Sequence, residues 1–250
     1  MSQADVTAPT RMPVASPQLI ELGQALFWDP ELSGNRDVSC ATCHHSKTGT
    51  GDNLAVSIGV GGLGLGADRL RVEERRDLVP RNAQPIFNLG YTNWTVFFWD
   101  GRVSLGPDGW FNSPASDRLP SGLDNLLAAQ AMFPVTSRDE MRGLRGQVDI
   151  FGQPNELAPL VDYAARPIWA AVTKRLTAIP EYVKLFKEAY PDVSTNDLGF
   201  QHAANAIAAY EAETFTFDDT PFDNYLHGDD DALTPQQKDG ALLFFGKAEC

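Results

Sequence analysis

Cysteine is scarce in this chain of 250 residues, with three in all, at positions 40, 43 and 250, beside four histidines. A scaffold stapled by disulfides is therefore excluded. Basic residues are outnumbered, with 20 lysines and arginines against 33 aspartates and glutamates and a formal charge of −13. Such a surface repels phosphate backbones, which excludes nucleic acid as a partner, and attracts a basic protein. No apolar run approaches the roughly 20 residues that span a bilayer. Residues 1–17 are polar and contain proline, with no basic stretch leading into an apolar one, so they are not a secretory leader. Strand signals are few. The 43% hydrophobic content is enough to bury one large or two small domains.

Helix punctuation is plentiful. Ser16-Pro17 reads as an N-cap and first turn, followed by the apolar stripe Leu19, Leu22, Leu26 and Phe27. Pro180 opens a second helix with Tyr182, Val183, Phe186 and Tyr190 on one face, closed before Pro191. Thr195 is the expected cap of a third, in which Phe200, Ala203, Ile207 and Tyr210 recur at helical spacing. Thr234-Pro235-Gln236-Gln237 is a capping box, and its helix is expected to run through Leu242 and Phe245 to Gly246. Residues 53–66 and 104–126 read as loops. The fold expected is mainly α, with long loops. The acidic stretch 218–231 reads as a connector between domains.

Cys40-Ala41-Thr42-Cys43-His44 is the most informative feature. Two thiols three positions apart with a histidine directly after form the attachment pattern of a c-type haem. One helical turn presents both sulfurs to the two vinyl groups, and His44 follows as proximal iron ligand. A thioredoxin-like dithiol would need a βαβ setting, and a structural zinc site a second pair of ligands. The segment Gly59-Val60-Gly61-Gly62-Leu63-Gly64 satisfies a dinucleotide-binding pattern but lacks the strand and helix that give it meaning. It is expected instead to be a flexible loop approaching the flat face of the haem.

Beyond this motif the chain resembles the di-haem cytochrome c peroxidases and the MauG-type enzymes. The resemblance is carried by Leu22-Gly23-Gln24-Ala25-Leu26-Phe27, Leu32-Ser33-Gly34-Asn35, Ser57-Ile58-Gly59, Arg81-Asn82, Phe98-Trp99-Asp100-Gly101-Arg102, Gln130-Ala131, Glu140-Met141, Phe222-Asp223-Asn224-Tyr225-Leu226 and the closing segment from Leu243 to Cys250. It implies a haem c oxidoreductase that reduces hydrogen peroxide, with electrons from a small redox protein or from a protein side chain being modified. Glu140 matches the proton-handling carboxylate on the open face of the haem and Gln130 its polar neighbour. Ser137-Arg138-Asp139-Glu140 equally fits a capping box. Trp99 matches the tryptophan between the two haems, with core packing as the alternative. Asn82 matches a side chain that helps hold calcium. Arg81 and Arg102 are candidates for haem carboxylates or are surface charges. His45 is expected in solvent, His202 in mid-helix and His227 in the acidic connector.

Cys250 matches the first cysteine of a second haem motif. The expected organisation is a flexible segment 1–17, a cytochrome c-like haem domain 18–217, and residues 218–250 as connector and first helix of a second such domain. A chain that is an inactive fragment is the corresponding alternative. Other bacterial peroxidases of the family carry histidine after Ser-Ile-Gly as a sixth iron ligand; here that position is Val60. The resemblance thus implies a five-coordinate first haem, as in the MauG-type branch. Because covalent haem attachment takes place outside the cytoplasm, a periplasmic location with the leader removed is expected. A c-type cytochrome that only transfers electrons is the rival reading, and it would require two strong axial ligands.

Overall fold

A computed structural model describes residues 6–72 and 77–248. Cys250 lies outside them. Helix α1 (Pro17–Trp28) starts where the sequence indicates, with Ser16 Oγ accepting from the Leu19 amide at 3.2 Å. Leu22, Leu26 and Phe27 on its inner face are fully buried. The single turn α2 (Cys40–Cys43) follows, started by the Ser39 amide donating to Thr42 Oγ1 at 2.9 Å. Two hairpin-like pieces come next. Strands β1 (Gly62–Leu63) and β2 (Leu70–Arg71) pair antiparallel, as do β3 (Val96–Phe97), β4 (Val103–Leu105) and β5 (Phe111–Asn112) in sequence order. The regions read as loops thus contain short strands, each too brief to show an alternating pattern.

Helix α3 (Leu126–Ala131) is capped by Asn125, whose Oδ1 accepts from the Ala128 amide at 2.9 Å. It is apolar almost all round and buried, so it lacks the one-sided stripe by which helices are recognised in sequence. Helices α4 (Ala165–Leu176), α5 (Pro180–Ala189) and α6 (Phe200–Thr214) supply most of the remaining core. The expected stripe of α6 is buried at Phe200, Ala203, Ile207 and Tyr210. Its cap is Gly199, however, and Thr195 belongs to a separate 3-10 turn, Thr195–Asp197.

The stretch 218–231 is more structured than a plain connector. Thr220 caps α7 (Pro221–Leu226), with its hydroxyl accepting from the Asp223 amide at 3.2 Å. Helix α8 (Pro235–Leu242) begins with the expected capping box, and Leu243–Lys247 continues it as a π turn rather than an α-helix. The N-terminal segment expected to be flexible is tied down in part. Its Met12 amide donates to the Gly90 carbonyl at 2.7 Å, and the Thr92 amide to that of Thr10 at 2.8 Å.

Helices α1 and α6 cross at very close range. A Cβ on Gly23 would collide with the Ala206 carbonyl oxygen and come within 2.8 Å of the Tyr210 Cβ. Around this contact Trp28 Nε1 donates to Tyr210 Oη at 2.9 Å, and the Phe27 and Tyr210 rings lie 5.2 Å apart. A Gly23→Ala substitution forces backbones apart, a form of overpacking that typically costs about 1–3 kcal/mol. Urea denaturation of the haem-loaded protein should register a loss of that size.

Candidate active site

Cys40, Cys43 and His44 share a cavity of about 250 Å³ with Gln130, Glu140 and Trp99. One water needs only about 10–15 Å³, so this space takes a far larger guest. Its apolar wall comes from Leu32, Ile86, Leu89 and Phe97, together with Phe200 and Ile207 of α6. Residues far apart in the chain, from α2, α3, α6 and the loops between them, thus meet on one cavity.

His44 is oriented from behind. Its Nδ1 lies 3.0 Å from the Thr50 carbonyl oxygen, and since a carbonyl only accepts, Nδ1 carries the hydrogen. That leaves the lone pair on Nε2, and such a backing hydrogen bond is the usual support of a metal-binding histidine. Thr50 is itself held with φ at +60° and with its hydroxyl accepting from the Ile86 amide at 3.0 Å. Burial pushes the imidazole below its ordinary pKa, against the hydrogen bonds it donates to the backbone of Thr50 and Gln84, which act the other way. The neutral ring is the ligating form. Burial also holds both thiols protonated, with that of Cys43 raised to about 12 and that of Cys40 raised as well. Among the described residues no group of three His, Cys, Asp or Glu side chains could hold a metal ion by itself.

The cavity also contains orphaned polar groups. The Ser57 hydroxyl is buried without a hydrogen-bond partner and faces the cavity. Glu211, only 5% exposed, lines it too, and burial alone raises its carboxyl to about 8. Paired thiols, a backed imidazole, apolar walls and unmatched polar groups together fit a c-type haem. Cys40 and Cys43 would hold its vinyl edges and His44 its iron.

Glu140 stands on a π-helical turn, Arg138–Arg142. Turns of this kind are rare and are concentrated at functional sites. The capping box does not form, for Ser137 makes no capping bond and instead hydrogen-bonds the Glu140 carboxyl. Part of the Glu140 surface is open to the cavity rather than to bulk water. Desolvation therefore dominates and raises its pKa to about 7, opposed by the charge of Arg102. Behind the turn, Arg142 is buried and donates to the carbonyls of Leu157, Thr136 and Leu160, while Arg138 holds Ala158 and Gly143.

Trp99 is 58% exposed at the cavity and donates from Nε1 to the Asn82 carbonyl at 3.1 Å. It is not core packing. Arg102 pairs with Asp100 at 3.0 Å and stacks over Phe98 at 3.8 Å, and Arg81 is exposed on the cavity rim. Three expectations are corrected. His45 packs edge-on against Trp28 at 5.1 Å and accepts from the Lys47 amide. His202 is in the first turn of α6, accepting from the Gly199 amide, not in mid-helix. The glycine segment 59–64 does not line the cavity. Its missing side chains let it press on another backbone, where a Cβ on Gly59 would collide with the Asp139 carbonyl. Val60 is 2% exposed and packed in the core.

Glu211 escaped notice in the sequence although a signal existed. It follows Ile207 by four positions, so it continues the apolar stripe of α6 with a charged residue type.

The model of the family described as di-haem cytochrome c peroxidase matches residues 17–231. The chain is 31% identical to the methylamine utilization protein MauG of Methylorubrum extorquens, over 94% of this chain and 48% of that one. It is 33% identical to the cytochrome c551 peroxidase of Pseudomonas aeruginosa, over 92% and 48%. Among solved structures, a MauG-like protein associated with microbial copper homeostasis superposes with a TM-score of 0.59 at 25% identity, over 99% of this chain and 55% of that one. The diheme peroxidase BthA of Burkholderia thailandensis shares the fold at 17% identity with a TM-score of 0.51, over 97% and 52%. The chain belongs to the di-haem cytochrome c peroxidase family, and it spans about half the length of the curated relatives it matches.

The buried Glu211 has a measurable consequence. Its pKa is about 8 in the folded protein and about 4.3 in an unfolded chain. Between those values the native state binds the extra proton, so stability falls with rising pH, by up to about 1.4 kcal/mol per pH unit from this group. Glu211→Gln should remove that slope. Urea midpoints of the variant and the parent at about pH 5 and pH 8 measure it.

Proposed function

We propose that this chain is the peroxide-reacting haem c domain of a two-haem oxidoreductase, followed from residue 218 by the beginning of a second haem domain. One observation carries the reading: the Glu140 carboxyl shares its cavity with Cys40, Cys43 and His44, and burial raises its pKa to about 7. Bound there, haem c supplies the redox-active iron for splitting the O–O bond of hydrogen peroxide. The net change is H2O2 plus two electrons and two protons to two waters. His44, with Nδ1 bound to the Thr50 carbonyl, would hold that iron through Nε2. Glu140 takes the proton from the near oxygen of peroxide and returns it to the departing one, as a positioned carboxylate of matched pKa can. Gln130 orients the peroxide by hydrogen bonding. Trp99, exposed beside the cavity, relays electrons from a second redox centre toward the peroxide site, so that the oxidising equivalent passes outward.

The electrons come from a small redox protein or from a protein side chain that is itself oxidised. The charge of −13 favours a basic donor. Covalent haem attachment assigns the protein to the periplasm, and no helix among the described residues is long and apolar enough to cross a membrane. Calcium binding at Asn82 rests on the resemblance. The second reading, an electron-transfer cytochrome, draws on one specific feature: the buried Met141 lines the cavity and carries a thioether able to ligate iron. Val60 offers no such ligand.

Two measurements test this reading. The ionised Glu140 is the active form, so peroxide turnover should fall about ten-fold per pH unit below about pH 7. Glu140→Gln should lower turnover by about 10²–10⁴-fold and abolish that inflection while the haem absorbance is retained. Full turnover in this variant would remove Glu140 from the chemistry. Resting-state EPR of the haem-loaded protein should contain a high-spin signal from the haem at His44. A purely low-spin spectrum there would favour ligation by Met141 and the electron-transfer reading.

A further inference from the structure

We propose that Arg69 is a positioning residue for Glu140, acting through the glycine loop 58–64. This rests on the reading of Glu140 as the group that handles the proton. Arg69 is 4% exposed, and its guanidinium closes the loop on itself. Nε donates to the Ile58 carbonyl at 2.6 Å, Nη2 to that of Gly59 at 2.7 Å, and Nη1 to that of Gly64 at 2.9 Å. None of these acceptors is a carboxylate. Burying a cation is costly, and burial pulls the Arg69 pKa below its ordinary value although the nearby Asp37 and Asp52 carboxylates act the other way. A cation held at such cost is poorly explained by stability alone.

The far side of the same loop bears directly on the Glu140 turn. The Val60 amide donates to the Glu140 carbonyl at 3.1 Å. A Cβ on Gly59 would come within 2.5 Å of that oxygen and 2.8 Å of the Glu140 Cα, so the loop touches the backbone that carries the carboxylate. The next carbonyl, of Met141, accepts from the Gly34 amide at 2.6 Å, and Arg138 and Arg142 hold the turn from behind. On the loop side, the Glu140 backbone is held through Val60 and Gly59. The loop in turn is held by Arg69, with a further bond from the Gly61 amide to Asp37 Oδ2 at 2.6 Å. Misplacing a reacting group by about 1 Å can cost about 10²-fold in rate. Such a brace therefore suits a carboxylate that must meet peroxide at one fixed point.

A double-mutant cycle on the haem-loaded protein tests this, using Arg69→Met, Glu140→Gln and the combination. Arg69→Met should lower kcat for peroxide by about ten-fold or more, leave KM within about two-fold, and add less than about two-fold to Glu140→Gln. An equal loss in both backgrounds overturns the proposal, because Arg69 would then support only the fold. Hydrogen–deuterium exchange gives a readout independent of turnover. In Arg69→Met, exchange should quicken in residues 138–142 as well as in 58–64, and quickening confined to the loop overturns the proposal. If Arg69→Met does not take up haem, Gly59→Ala carries the same test with Arg69 intact, and unchanged kcat and exchange in that variant overturn it. Should Glu140→Gln retain full turnover, the reading of Glu140 fails instead. Exchange then decides alone whether Arg69 holds the 138–142 turn.

Discussion

The contact between α1 and α6 sets the geometry on which the cavity depends. Gly23 lets the two helices approach until main chain meets main chain, and the rings of Phe27 and Tyr210 lock the crossing. Helix α1 leads through Leu32 and Val38 to the turn with Cys40 and Cys43, while α6 brings Phe200, Ile207 and Glu211 to the same cavity. The close contact at Gly23 thus fixes the position of α6, which presents Ile207 and Glu211 to the cavity alongside the contacting Ala206 and Tyr210. The stability spent there is recovered in the buried faces of α1, α3 and α6.

Around this frame the polar work is done by arginines on backbone carbonyls. Arg142 and Arg138 hold the back of the Glu140 turn, Arg69 holds the loop pressed against its front, and Arg175 joins α4 to the Glu31 and Ser33 carbonyls. A guanidinium has five donors in a fixed plane, so it can close several loop carbonyls at once where no regular helix or sheet would satisfy them. This explains how a chain with long irregular segments keeps its reactive side chains in fixed positions. It also explains why those segments need glycines at points of backbone contact, as at Gly34 and Gly59.

Much of the site is legible in the order of residues because its chemistry is local. Cys40, Cys43 and His44 fall on one turn, and the stripes of α1, α5 and α6 are written at helical spacing. The helix α3 that carries Gln130 was not apparent, since a helix buried on every side has no amphipathic period. Arg69 and Ser57 had no visible role, because loop carbonyls and cavity walls leave no periodic trace. Thr195 was a plausible cap of the right type, yet Gly199 fills that position because the chain makes a 3-10 turn first. The capping-box reading of Ser137 and Glu140 failed for a similar reason, as the turn there is π rather than α.

The order of residues by itself determined where helices start, which thiols and imidazole act together, and that residue 60 offers no ligand for iron. These are consequences of side-chain type and short-range spacing. Only the tertiary structure decided that Glu140 and Glu211 line the same cavity as His44, and that burial moves their acidities to about 7 and about 8. A proton's affinity depends on the water removed from around it, and that water is removed by segments brought together from distant parts of the chain.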